Sequence, residues 1–551
     1  MSWLAHPEGS NRRIARADSE RETEELYKVS IEMKRRTFLY SGLALGLGET
    51  VSPASCSQSA ILTPEMFGAR ANGDDDYDAL LALAKFCSGR RHIRVRFARD
   101  AHYRINRFKI EGGPRANGVT DILFDGLQDF EIDLNGSTVE VEGRFFRNRD
   151  FEGFPYSWTN SVTPFAFRNC ARGAVRNGRC IGNVRHTSRE LKPNGSGIDS
   201  NCYGFSILGC EDFLVEDVES SAFPGDGFFI SATTATSGTS TVSKNVSLQS
   251  CVAEFNARQG LTITAARNVD VIGGRYSYTG YIEMNSSGGP VAGPYGAQSP
   301  SAGVDIEPDA PNPDAKTGDI RFRDVTFEEN AGFQFVCSTI SDGAEGTGHV
   351  SLINCRFRRR DLAGSVSFGA DRVDIVDSEF ENVGIWPLHG GANLDFNRMT
   401  GSIRGNRLTS NIPDVRLLAI GDNGGSGSPH LDVVNNVFEI YGGLGPANYI
   451  PIRVDLAPNI SFTDNLIRVN ASANSAAHSP RSRFVVARVG SGVSSNAWKS
   501  DAANNALVIE FRTARHGGLR RADERLSPAF AAIDLASGHR HDTRGRYILR
   551  N

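Results

Sequence analysis

The sequence predicts an all-β chain wound as a single-stranded parallel β-helix, with one short helix near its N-terminus. Three observations predict it. Helix signals are few, short alternating strands recur after aligned glycines, and the recurrence closes up to 23 residues at its tightest.

The aligned-glycine strands are Tyr203–Ile207, Asp226–Ile230, Gln259–Ile263, Ala302–Ile306 and Ala331–Phe335. The residues one and three after each Gly are apolar, while the residue between them varies: Ser206, Phe229, Thr262, Asp305 and Gln334. Alternation with period two puts one face in a core and the other outside. A second strand type interleaves, as Asn245–Leu248, Asn268–Val271, Asp319–Phe322, His349–Leu352, Arg372–Ile375, His430–Val433 and Asn459–Phe462. The 23-residue step separates Gly204 from Gly227, Val246 from Val269 and Val350 from Val373. A β-propeller blade needs ~40–50 residues. Parallel strands with no crossover helix can be joined only by winding, each coil stacking on the next at about 4.8 Å. Asn256 and Asn330 fit turn positions ahead of Gly260 and Gly332. Tyr77–Phe86 reads as a helix, with Asp74–Asp76 placed to cap it. Leu519–Ala536 reads as another, interrupted by Pro528.

Composition narrows the function. Lys and Arg (60) nearly balance Asp and Glu (64), which speaks against a nucleic-acid binder. No apolar run reaches the ~18 residues of a membrane span. Lys34-Arg35-Arg36-Thr37-Phe38-Leu39, a short apolar stretch and small residues to Ala60 follow the order of a signal peptide. This segment resembles the twin-arginine signal, which implies an exported protein, periplasmic or extracellular. The expected organisation is an upstream extension (1–32), the signal (33–60), the β-helix (61–480) and a C-terminal coil and cap (481–551). The nine cysteines form no CxxC pair, no zinc spacing and no disulfide framework, and read as buried thiols.

Met66-Phe67-Gly68-Ala69, the Gly-Asp-rich turn Asn72–Asp76 and Ala79-Leu80 resemble the opening motif of the pectate-lyase superfamily. The coils from Asp212 to Phe335 are similar to the repeat shared by polysaccharide lyases, glycoside hydrolases, epimerases and tailspikes. The resemblance implies a right-handed β-helix whose first helix is a cap, and it raises the expectation of carbohydrate chemistry. It selects no reaction.

Coils are extended at Arg149–Pro164, Ile181–Asn201, Ala232–Lys244 and Arg275–Ser301, and three of these, Arg149–Pro164, Ile181–Asn201 and Arg275–Ser301, enter from one corner and are expected to wall a groove suited to a linear polymer. They carry aromatic rings that stack on sugars, among them Tyr156, Trp158, Tyr278 and Tyr281, and His186, which could meet a uronate. The sharpest constellation is Gly303–Asp309. Asp305 and Glu307 lie two residues apart, about 7 Å along a strand. An inverting glycosidase holds its acid and base about 6.5–9.5 Å apart. Asp226 is expected nearby to position water or substrate, and Arg258 to grip a substrate carboxylate. Gln259, Thr262 above Asp305 and Gln334 below it complete the expected substrate contacts.

Three readings stay open. Hydrolysis of an acidic or complex polysaccharide would use Asp305 and Glu307 as acid and base, in an order the sequence does not fix, with Asp226 assisting. β-Elimination or C5-epimerisation would need a base, and its carboxylates could then hold Ca²⁺; otherwise no cofactor or metal is expected. A non-catalytic glycan-binding solenoid would keep the aromatic rings and tolerate loss of the carboxylates.

Overall fold

The computed structural model describes residues 61–111, 118–142, 158–186, 202–234, 240–292, 300–308, 317–337 and 347–387. With further breaks it continues to a last strand, Tyr547–Leu549. The expected extension and signal, 1–60, lie outside the described residues.

Each coil supplies three strands. Gln259–Ile263 lies on one face, Ala266–Ile272 and Arg275–Ser277 on two others, and Ala302–Ile306 begins the next turn. Like strands of successive coils pair in parallel. The first and second ladders merge into a 26-stranded sheet, and the third face is a 15-stranded sheet. The chain is a right-handed parallel β-helix. The third sheet runs in parallel to Ala506–Phe511, where Tyr547–Leu549 pairs antiparallel with it. No helix among the described residues is long and apolar enough to cross a membrane.

Alternation builds the core. On the third sheet, Phe228, Leu261, Val304, Phe335 and Val366 form one inward column, and Ile230, Ile263, Ile306, Cys337 and Phe368 the next. All ten belong to one continuous apolar cluster. The first ladder stacks Val246, Val269, Ile320, Val350 and Val373 in the expected register. The helix Tyr77–Cys87 buries Tyr77, Leu80, Leu83 and Ala84 against the first coils. Its expected cap differs. Asp75 Oδ1 accepts from the Tyr77 N–H, but Asp76 at the N-cap accepts from the backbone of Arg70 and Arg104 instead.

One register departs from expectation. The strand is Phe335–Cys337, not Ala331–Phe335, and Asp305 faces Val336 rather than Gln334. Gln334 is held back in the turn, where its Nε2 donates to the Asn330 carbonyl and its Oε1 accepts from Asn330 Nδ2. Phe335 then takes the core place that the sequence pattern gives to Phe333.

The corner between the first and second ladders carries a left-handed residue in coil after coil: Ser250, Gly273, Asp324, Asn354, Asp377, Gly405, Asn435 and Asp464. Gly, Asn and Asp adopt this conformation at least cost. The next residue points inward, and Asn406, Asn436 and Asn465 there form a buried ladder. Asn436 Oδ1 accepts from both the backbone N–H and Nδ2 of Asn406, and Asn436 Nδ2 donates to Asn465 Oδ1 and to the Ile403 carbonyl. Asn256 and Asn330 also bond backbone, at the opposite corner, while the left-handed residues there are their predecessors Phe255 and Glu329. The eight described cysteines are buried and form no disulfide among themselves.

Replacing Asn436 by Ala leaves buried donors and acceptors without partners, at a cost of about 2–3 kcal/mol. Urea unfolding should show a lowered midpoint, and a change below about 0.5 kcal/mol would contradict a structural role for the ladder.

Candidate functional site

Val304 and Ile306 point into the core, so Asp305 between them points out. Its column on the outer face of the third sheet reads Ser206, Phe229, Thr262, Asp305, Val336, Ser367 and Trp386. The neighbouring glycines allow the coils to stack closely. A Cβ on Gly260 would stand 2.5 Å from the Gly303 carbonyl oxygen, and one on Gly303 would stand 2.6 Å from that of Gln334.

A buried polar chain runs across these coils. Arg258 grips Asp226 with two prongs, Nε to Oδ1 at 2.8 Å and Nη2 to Oδ2 at 2.6 Å. Thr262 Oγ1 lies 2.8 Å from Asp226 Oδ2 and 2.8 Å from Gln259 Oε1. Gln259 Nε2 donates to Asp305 Oδ2 at 2.7 Å. Asp226, Gln259, Thr262 and Asp305 are 0%, 1%, 2% and 4% exposed, so water cannot readily stand in for a lost partner.

Burial dominates the electrostatics of Asp305. It pushes the carboxyl up from an ordinary 3.8 to about 8, reinforced by the charges of Glu307 and Asp226 and opposed by the Gln259 hydrogen bond and Arg258. At neutral pH Asp305 therefore holds a proton. Among the described residues its Oδ1 has no hydrogen-bond partner. Glu307 is exposed, and its N–H still bonds the Ile263 carbonyl at 3.0 Å. The ladder thus continues through Glu307, which keeps the outward alternation shared with Asp305.

The expected site residues separate accordingly. Asp305, Glu307, Gln259, Thr262, Asp226 and Arg258 come together. Asp226 is sealed from solvent and held by Arg258. Arg258 commits Nε and Nη2 to Asp226. Gln334 is out of the column, tied to Asn330 as above. Tyr278 sits in a left-handed turn with its ring stacked on Phe255 at 5.1 Å, which pins the corner. Tyr281 is half-buried in the hairpin Tyr281–Met284/Pro290–Ala292. Tyr156 lies outside the described residues. Trp158 and His186 fall in the strand Trp158–Ser161 and the short helix Val184–His186, and their side chains lie outside the described set.

Two aromatic features were not singled out as site elements from the sequence. Phe229 stacks on Tyr203 at 4.4 Å, and Trp386 lies in the Asp305 column, with its Nε1 donating to the Arg416 carbonyl. Phe229 was visible as an outward residue of an aligned-glycine strand. Trp386 joins the column only through the register set at Val336.

Asp226 is paired with a guanidinium, whereas Ca²⁺ takes six to eight oxygen ligands. Among the described residues no three His, Cys, Asp or Glu cluster as metal ligands. Two grooves, of about 510 and 580 Å³, lie along the second ladder and do not include Asp305. The segments bordering the Asp305 column, 293–299, 309–316 and 338–346, lie outside the described residues.

Two outcomes follow from the buried charges. Between about pH 4 and 8 the folded chain keeps an Asp305 proton that the unfolded chain has lost. Stability from this group therefore falls as pH rises, by up to about 1.4 kcal/mol per unit. Asp305→Asn should remove that slope, so the variant gains on the wild type as unfolding is measured at increasing pH. Equal slopes would contradict the raised carboxyl. Arg258→Met leaves Asp226 buried without its partner and should cost about 3 kcal/mol in the same assay.

No protein-family model matches the chain, and no curated protein does. Among solved structures it is similar to PfbA, a surface adhesin of Streptococcus pneumoniae, at 10% identity and TM-score 0.49, covering 89% of this chain and 100% of that one. It is also similar to the A-module of the Azotobacter vinelandii mannuronan C-5 epimerase AlgE6, at 14% identity and TM-score 0.37, covering 74% and 98%. A third similarity is to the catalytic unit of a GH87 α-1,3-glucanase from Streptomyces thermodiastaticus, at 11% identity and TM-score 0.33, covering 83% and 70%.

Proposed function

We propose that the chain is an exported glycoside hydrolase that cleaves an acidic or complex polysaccharide lying along the third sheet. The observation that carries this reading is the buried Asp305 beside the exposed Glu307. Desolvation splits the two carboxyls into different roles, as acid–base catalysis at neutral pH requires. Asp305 is the general acid, giving its proton to the glycosidic oxygen as the bond to the sugar breaks. Glu307 is the general base, taking a proton from the attacking water. Their spacing along the strand, about 7 Å, leaves room for that water and predicts inversion at the anomeric carbon. Phe229 and Trp386 are separated by five coil steps, about 24 Å, and offer stacking surfaces at either end of the track. Asp226 and Arg258 act through Thr262 and Gln259 rather than on the sugar.

The test is a panel of bacterial, algal and plant polysaccharides, assayed together for new reducing ends and for the ultraviolet absorbance of unsaturated uronate. Reducing ends without absorbance are expected, with the inverted anomer released first. Asp305→Asn and Glu307→Gln should each lower the rate by at least a hundredfold. Activity should fall as pH rises through about 8, where Asp305 loses its proton. Absorbance with the reducing ends would replace hydrolysis by elimination. Glycan binding that is indifferent to both substitutions, with no cleavage, would make the chain a binding solenoid.

A further inference from the structure

The buried chain from Arg258 to Asp305 has one hydroxyl proton too few for its contacts. Thr262 Oγ1 lies within hydrogen-bond distance of two acceptors, Asp226 Oδ2 and Gln259 Oε1, each at 2.8 Å. A hydroxyl donates one proton, so it serves one of them at a time. The two ends of the Gln259 amide have nearly the same shape, so the chain can run with either polarity.

With the amide nitrogen toward Asp305, Gln259 donates to that carboxylate and Thr262 donates to Gln259. Thr262 then offers Asp226 only a lone pair. With the amide reversed, a protonated Asp305 Oδ2 donates to Gln259 Oε1. Gln259 Nε2 donates to Thr262 Oγ1, and Thr262 donates to Asp226, whose charge is held in place by Arg258. In this second polarity every contact has one donor and one acceptor, and one of them is charge-assisted.

We propose that Gln259 and Thr262 are positioning residues forming a reversible hydrogen-bond chain, anchored on the Arg258–Asp226 pair, that turns over as Asp305 gains or loses its proton. The inference rests on the reading of Asp305 as the proton donor. When that proton leaves for the glycosidic oxygen, the amide turns about its last torsion and brings its N–H₂ to the new carboxylate. The Thr262 hydroxyl swings from Asp226 to Gln259. No proton travels along the chain; only its polarity changes. The other titratable or charged groups facing Asp305 among the described residues are Glu307 on its own strand, Asp226 and Arg258 from the preceding coils, and Cys337 from the next. The Cys337 thiol is pushed up to about 12, mainly by burial, and stays neutral.

The two polarities predict opposite signs for one substitution. In a reversible chain the Thr262 hydroxyl favours protonated Asp305, so Thr262→Val lowers the Asp305 midpoint by about one pH unit, a tenfold loss of proton affinity. Thr262→Ser, which keeps the hydroxyl, restores it. A fixed amide donor predicts an unchanged or raised midpoint in Thr262→Val. The midpoint is read from the infrared absorption of the protonated carboxyl in the full chain, as the difference from Asp305→Asn, with circular dichroism as a check on folding. If Thr262→Val does not fold, Thr262→Ala carries the same test. An unchanged or raised midpoint overturns the proposal. The readout needs no substrate, so a lowered midpoint in a chain that cleaves no glycan would count against the hydrolase reading alone. Cleavage lost in Asp305→Asn with an unmoved Thr262→Val midpoint would count against the chain alone.

Discussion

The close stacking of successive coils on the third sheet is the constraint on which the site depends. At Gly227, Gly260 and Gly303 a side chain would run into the carbonyl oxygen of the following coil, at 2.8, 2.5 and 2.6 Å. Without side chains there, the coils approach closely enough for residues far apart in sequence to bond directly. Gln259 reaches Asp305 across 46 residues, and Thr262 reaches Asp226 across 36. Asp305 is 4% exposed there, so an outward-facing carboxyl behaves electrostatically as a buried one.

Two acidic groups, two coils apart, are treated in opposite ways. Asp226 is fully buried but receives a guanidinium on both oxygens, which favours its charged form. Asp305 receives one neutral amide and the repulsion of Glu307, which favours its protonated form. Keeping a carboxyl in this state is a standing cost to stability at alkaline pH, of the kind found where function rather than folding selects a residue. The asparagine ladder and the polar corners on the other faces carry no such tension, because each buried amide there is matched to backbone or to the next rung.

The fold was legible because its period is short and repeated. Val246, Val269 and Val350 marked one ladder, and the alternation around Val304 and Ile306 placed Asp305 outside. The reading failed where the pattern was degenerate. Phe333, Phe335 and Cys337 are all apolar at period two, so the coil after Asp305 admits two registers, and only the Gln334–Asn330 ring in the turn decides between them. That shift removed Gln334 from the site and brought Val336, Ser367 and Trp386 into its column. Arg258 was legible as a cation near the carboxylates, but its commitment to Asp226 is a tertiary fact that spacing does not encode. Nor does spacing encode which carboxyl loses its water.

The central claim is that Asp305 is a neutral acid in the folded chain at physiological pH. Its most direct test is a carbon-13 NMR titration of aspartate-labelled protein, with Asp305→Asn identifying the resonance. The account predicts a carboxyl midpoint near 8. A midpoint in the ordinary aspartate range, near 4, would contradict it.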